Sequence, residues 1–146
     1  MPASQKARPV ARWLAVAMLA EAATTFIASY LHRDGRIPLG FTVIRGERYP
    51  AASIPELIIG IVLALGAMFL LAAPRRGRRV AIGAAGFAIF GFLLGSAFVL
   101  TSGRPSITID LTYHATLLAA LIATFALLLA QAARSAPFNG RGRRAT

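Results

Sequence analysis

Residues 49–79 read YPAASIPELIIGIVLALGAMFLLAAPRRGRR. Two prolines and an acid (Pro50, Pro55, Glu56) open this stretch, and 17 residues without a charge follow. Pro74 and the arginines Arg75, Arg76, Arg78 and Arg79 close it. At about 1.5 Å per residue, a helix over 54–73 spans roughly the 30 Å of a bilayer's hydrocarbon. The arginine cluster predicts a cytoplasmic end, because short cytoplasmic loops carry an excess of Lys and Arg. With that end placed, Glu56 lies near the outer face and every other segment takes its direction.

Composition agrees with a membrane protein. The 146 residues allow one domain, and 57% are hydrophobic against 14% charged, too few charges for an ordinary soluble surface. The basic residues comprise 15 Arg and one Lys, and the sequence pI is near 11.8. Such a balance raises nucleic acid as a partner, but the basic residues flank apolar segments and no aromatic-interleaved basic face appears. Nucleic acid is therefore not expected. The absence of Cys removes disulfides, thiolate metal sites and thiol redox chemistry.

Four spans are predicted, over about 13–31, 54–73, 80–101 and 111–131, within a transmembrane domain of residues 13–133. Residues 1–12 form a basic cytoplasmic N-terminus, and 134–146 a disordered basic cytoplasmic tail. Trp13 opens the first span at headgroup level. Ala20-Glu21-Ala22 has the form of a signal-peptide cleavage site, but the apolar pattern continues through Phe26, Ile27 and Leu31 as a full span. The loop from His32 to Ser53 is expected to be structured, with FTVIRGERY a hairpin around Arg45-Gly46. PRRGRR permits only a tight connection between neighbouring antiparallel helices. Gly91 and Gly95 form GxxxG in the third span, which lets helix backbones approach closely, here within one chain rather than between two. Eleven basic residues fall on the predicted inner side and five on the outer. The expected setting is a bacterial cytoplasmic membrane with both termini inside.

The polar residues inside these spans are the candidate site. Glu21 lies near the centre of its span, where a charged side chain costs about 2.5–3.5 kcal/mol on insertion scales. It must be protonated, paired or turned to a polar cavity. Glu21, Thr25, Ala28 and His32 share one helical face that climbs to the outer surface. Glu56 and His114 match in depth, each about one turn inside the outer boundary, and are expected within hydrogen-bond or one-water distance. Asp110 is placed as an N-cap for the fourth span, with Tyr113 beside His114. Two His and two or three carboxylates can hold a divalent metal or share a proton, but the spacing favours a structural hydrogen-bonded cluster, and no metal is assigned. The inner halves carry few polar groups, so a blind, outward-facing polar pocket is expected rather than a channel.

The acid in the first span, the loop IPLGF followed by YPAASIPE, and TYH opening the fourth span resemble small four-helix bacterial membrane proteins loosely described as DoxX-like. The resemblance covers most of residues 12–133. It implies a quinone or a redox complex as partner, and carries over no catalytic residue; the lack of Cys departs from thiol-linked versions. The expected fold is all-α, an antiparallel four-helix transmembrane bundle with a structured first outer loop. The leading expectation for function is non-enzymatic binding of a lipid, quinone or protein partner through the outer pocket, with no cofactor assigned. The alternatives are a membrane enzyme or redox subunit using Glu21, Glu56 and His114 for proton transfer, and a small proton-coupled transporter.

Overall fold

The computed structural model describes residues 3–46, 48–101 and 107–134. In chain order they form α1 (Ala3–Leu31), β1 (Arg36–Pro38), β2 (Val43–Arg45), α2 (Pro50–Ala72), α3 (Gly77–Thr101) and α4 (Ile107–Arg134). All four helices are long and apolar enough to cross a membrane, over Pro9–Leu31, Pro50–Ala72, Gly77–Thr101 and Thr108–Arg134. The predicted tail at 134–146 lies outside the described residues but for Arg134, and so do residues 102–106 between the third and fourth spans.

All four helices begin before the predicted spans: α1 starts at Ala3 rather than Trp13, so residues 3–12 of the predicted N-terminal segment continue its helix, and the other three starts differ for local reasons. α2 begins at Pro50 rather than Ile54, because proline's fixed φ suits the first helical position, where its missing N–H has no partner to lose. α3 begins at Gly77, a turn's length before Val80, since the connection after Ala73 is so tight that the Gly77 amide already donates to the Ala73 carbonyl at 2.6 Å. α4 begins at Ile107, so Asp110 is not its N-cap. Asp110 sits in the first turn, where a negative charge still complements the positive end of the helix dipole.

The loop between α1 and α2 is structured, as expected, but its hairpin turns elsewhere. Arg36 pairs with Arg45, Ile37 with Ile44 and Pro38 with Val43 in an antiparallel register. The turn is therefore at Leu39–Thr42, closed by the Leu39 amide on the Thr42 carbonyl at 2.8 Å. Gly40 supplies the required left-handed backbone, with φ 81°. Arg45-Gly46, the predicted turn, instead ends β2. There the Gly46 amide donates to the Gly35 carbonyl at 2.9 Å, and a side chain at 46 would run into the Leu31 carbonyl.

Packing proceeds from α1 to α2 to α3 to α4, and α4 returns to α1 by a much smaller contact. The buried positions follow helical spacing of three and four: Leu14, Met18 and Ala22 on α1, Ile59, Leu63 and Leu70 on α2, Leu117, Leu121 and Leu128 on α4. α3 contributes Ala81, Ala84, Ala85 and Ala88 to the same core, so backbones come close there. Large apolar side chains cover the outside instead, including Trp13, Phe69, Phe90, Leu100 and Ile109. Polar side chains are turned inward: Glu21, Thr25, Ser29, Ser53, Glu56, His114 and Thr124 are all buried. An apolar exterior around a partly polar interior supports a transmembrane helical bundle. At the arginine-rich end, buried Arg78 donates to the Gln131 carbonyl at 2.8 Å, a cation against the negative end of α4.

The glycines divide by what they face. A Cβ on Gly91 would lie 2.6 Å from Ile59 Cδ1 of α2, and one on Gly95 would lie 2.9 Å from His114 Nε2 of α4. The GxxxG pair thus faces two different helices of its own chain. Gly66 meets two helices at once, with Ala84 Cβ at 2.7 Å and Met18 Cε at 2.9 Å from an added Cβ, whereas Gly83 has open space. Gly66→Leu is expected to lower stability by about 1–3 kcal/mol through overpacking, and Gly83→Leu to change it little. Unfolding of both variants in detergent checks this; equal behaviour would mean that α2 and α3 do not approach at Gly66.

Candidate functional site

Two polar layers emerge. The first lies where the end of α1 meets the start of α2. The Ser29 hydroxyl donates to the Ser53 carbonyl at 2.7 Å, and Arg33 Nε donates to Ser53 Oγ at 2.6 Å. One turn along, His32 Nδ1 and Glu56 Oε2 are 2.7 Å apart, with the two side chains only 13% and 5% exposed. The Tyr49 amide donates to the His32 carbonyl at 2.7 Å, and the two rings meet edge to face at 5.9 Å. Tyr49 in turn stacks on Phe98 of α3 at 6.1 Å. These contacts tie three helices and the loop together.

The direct partner of Glu56 is therefore His32, not His114 as depth matching suggested. His114 Nδ1 donates to the Asp110 carbonyl of its own helix at 2.7 Å, which leaves Nε2 as the acceptor of the neutral ring. The ring packs against Phe92 at 5.3 Å and Tyr113 at 5.2 Å. Asp110 reaches His114 through its backbone. Proton transfer over Glu21, Glu56 and His114 loses its direct Glu56–His114 link. Among the described residues no three His, Cys, Asp or Glu side chains converge as a metal-ligand set.

The second layer lies deeper, between α1 and α4. Thr124 donates to Glu21 Oε1 at 2.7 Å, while Oε2 has no partner in the protein. Glu21 lines a cavity of about 430 Å³, with Ala20 and Thr24 beside it on α1. Thr112, Tyr113, Thr116, Leu117 and Ala120 line it from α4. The Tyr113 hydroxyl is also buried without a partner. The cavity is a lateral groove, since no residue of α2, α3 or the hairpin lines it. It exists because the contact between α1 and α4 is the weakest around the bundle.

The expected common face of Glu21, Thr25 and His32 is divided among three surroundings. Glu21 turns to α4. Thr25 is fully buried against α2, where a Cβ on Gly60 would lie 2.6 Å from its Oγ1, and its hydroxyl donates to the Ala22 carbonyl. His32 turns to Glu56. A second cavity, of about 330 Å³, opens beside the hairpin loop between Arg33, Asp34, Arg48 and Pro50, none of them a predicted site residue. Thr24, Thr112 and Thr116 were not singled out from the sequence. Their signal was available: Thr112 and Thr116 lie at i, i+4, and Thr24 follows Glu21 by three, which places hydroxyls on two facing stripes.

The two pairings of Glu56 separate in double-mutant cycles. Coupling between His32→Ala and Glu56→Gln is expected at about 0.5–3 kcal/mol in unfolding free energy, and between Glu56→Gln and His114→Ala below about 0.5 kcal/mol. A larger coupling to His114 would reverse the assignment. Comparison with family models, with curated proteins and with solved structures finds no match for the chain.

Proposed function

We propose that the protein is an antiparallel four-helix transmembrane bundle of the bacterial cytoplasmic membrane that binds a small amphipathic ligand in the groove between α1 and α4. One observation carries this reading: Glu21 and Tyr113 line the same cavity, and each keeps a buried polar atom without a protein partner. A buried polar group left unsatisfied costs about 1–3 kcal/mol, which a ligand's hydrogen bonds would offset. The volume falls in the usual range for small-ligand sites, about 300–1,000 Å³. Ala20, Thr24, Thr112, Thr116 and Ala120 are exposed on the flank of the bundle, so the ligand enters sideways from the hydrocarbon. The cluster of polar groups at the outer end, Ser29, Arg33, Ser53, His32 and Glu56, serves to close α1 on α2 rather than to receive the ligand.

Orientation follows the basic residues, eleven inside and five outside. Cysteine labelling in this Cys-free chain tests it, with positions chosen to spare the backbone. Gly46 and Gly77 are unsuitable, because side chains there would meet the carbonyls of Leu31 and Phe69. Phe41 is 93% exposed and Arg76 is exposed. In intact cells Phe41→Cys should react with an impermeant maleimide and Arg76→Cys should not; the reverse result would invert the topology.

Native mass spectrometry of protein purified in mild detergent tests the groove. Wild type should carry a bound amphiphile, and Ala120→Phe, which fills the groove, should reduce the occupied fraction about fivefold or more. Glu56→Gln should leave it unchanged. Wild-type occupancy in folded Ala120→Phe would remove the groove as the site.

A further inference from the structure

We infer that the β1–β2 hairpin is a headgroup-level anchor, which holds anionic phospholipid at Arg36 and Arg45 and dips Leu39 and Phe41 toward the acyl chains of the same leaflet. This rests on the bundle spanning a membrane and is independent of the groove. The register sets Arg36 directly opposite Arg45. Residues so placed share one face of the ribbon, and like charges there repel. Among the described residues, no carboxylate pairs with either guanidinium group. Arg33 and Arg48 line the cavity beside the hairpin together with Asp34, and the loop 32–53 carries four Arg against two acids. An anion relieves such a pair, and a phosphate can accept hydrogen bonds from two guanidinium groups at once.

The rest of the hairpin is apolar. Leu39, Phe41, Val43 and Ile44 are all exposed, and neither strand makes an extended contact with a helix. A two-stranded ribbon alone is marginal in water, so this one needs a surface to lie on. The bilayer is the surface at hand, because the hairpin joins a span ending at Leu31 to one starting at Pro50. Its first strand also begins on the flank of α1. The Tyr30 hydroxyl lies 3.4 Å from both the amide nitrogen and the carbonyl oxygen of Arg36, and Tyr30 is itself exposed. Helical side chains lean toward the helix N-terminus, here toward the membrane, so Tyr30 draws Arg36 alongside the last turn rather than above it. From Arg36 to the turn the chain extends about 15 Å at roughly 3.3 Å per residue, more than the roughly 5–8 Å depth of one headgroup layer. The arginines then stay with the phosphates while the apolar tip reaches the acyl boundary. A second copy of the chain would bring the same arginines to the same place, and their repulsion disfavours it.

Quenching of an indole by brominated acyl chains tests the anchor in the full chain reconstituted into nanodiscs. Trp13 is the single Trp, so Trp13→Phe gives a background in which one indole at a time can be placed. In brominated phosphatidylcholine with about 30% phosphatidylglycerol, the fluorescence of Phe41→Trp should fall about twofold or more against unbrominated discs. Without phosphatidylglycerol the quenching should drop by about half, and Arg36→Gln with Arg45→Gln should give that lower level in both lipids. Phe90→Trp, on the exposed side of α3, reports the spanning itself and should be quenched in every disc. Labelling of Phe41→Cys by an impermeant maleimide is compatible with this depth, since that variant lacks the ring and the reagent reaches headgroup level. Quenching at Phe90→Trp with none at Phe41→Trp would overturn the anchor and leave the spanning bundle standing; no quenching at either would remove both. Equal quenching of Phe41→Trp with and without phosphatidylglycerol would overturn the assignment of anionic lipid. Protection of Phe41→Trp from aqueous iodide without bromine quenching, seen only with two chains per disc, would give the tip to a second copy instead.

Discussion

Hydrocarbon offers no hydrogen bonds, so a polar side chain within a membrane bundle must turn inward and find its partner on another helix. The inward-turned polar side chains of this bundle fit that constraint. Glu21 fixes α4 against α1 through Thr124, and Glu56 fixes α2 against α1 through His32. Ser29 and Ser53 hold the same α1–α2 seam one turn away, and Arg78 secures the other end of the bundle on the last turn of α4. The apolar residues are less demanding. Leu, Ile and Phe are content on either side of the helices, which is why Phe92 is buried while Phe69 and Phe90 face outward.

The groove follows from an unequal distribution of small residues and bonds. α2 and α3 close on each other through Gly66, Ala81 and Ala84, and α3 meets α2 and α4 through Gly91 and Gly95. α1 and α4 also present small side chains to one another, Ala20, Thr24, Thr116 and Ala120, yet the helices do not collapse together along that line. The Glu21–Thr124 bond joins them at one level, while Tyr113 and Leu117 are among the α4 residues that line the space left open. Small residues at a closed seam give packing; the same residues at an open seam leave a cavity.

The ionisable groups then take distinct roles from their surroundings. His32 holds one oxygen of Glu56, Oε2, beneath the loop and Tyr49, while Glu56 Oε1 is buried without a hydrogen-bond partner. His114 is oriented by its own helix and walled by aromatic rings. Glu21, like Glu56, has one carboxyl oxygen held and the other buried without a partner, but among the described residues it is Glu21 that lines the cavity between α1 and α4.

The sequence by itself determined the four helices and their approximate ends, because crossing length and apolar content are local properties of each segment. It also marked Glu21 and Glu56 as residues needing partners, since the cost of an isolated carboxyl in an apolar helix does not depend on the fold. Depth along the helix was legible as well, from a rise of about 1.5 Å per residue. Rotation about the axis was not. Depth matching brought Glu56 to the level of His114, but the choice of His32 depends on which face of α1 meets α2. The hairpin's turn likewise passed from Arg45-Gly46 to Gly40, because Gly46 is held against the end of α1 by a contact remote in sequence. The groove belongs to the same class. It arises from the failure of one helix pair to close, a property of the whole ring of contacts that no single segment carries, and only the tertiary structure decided it.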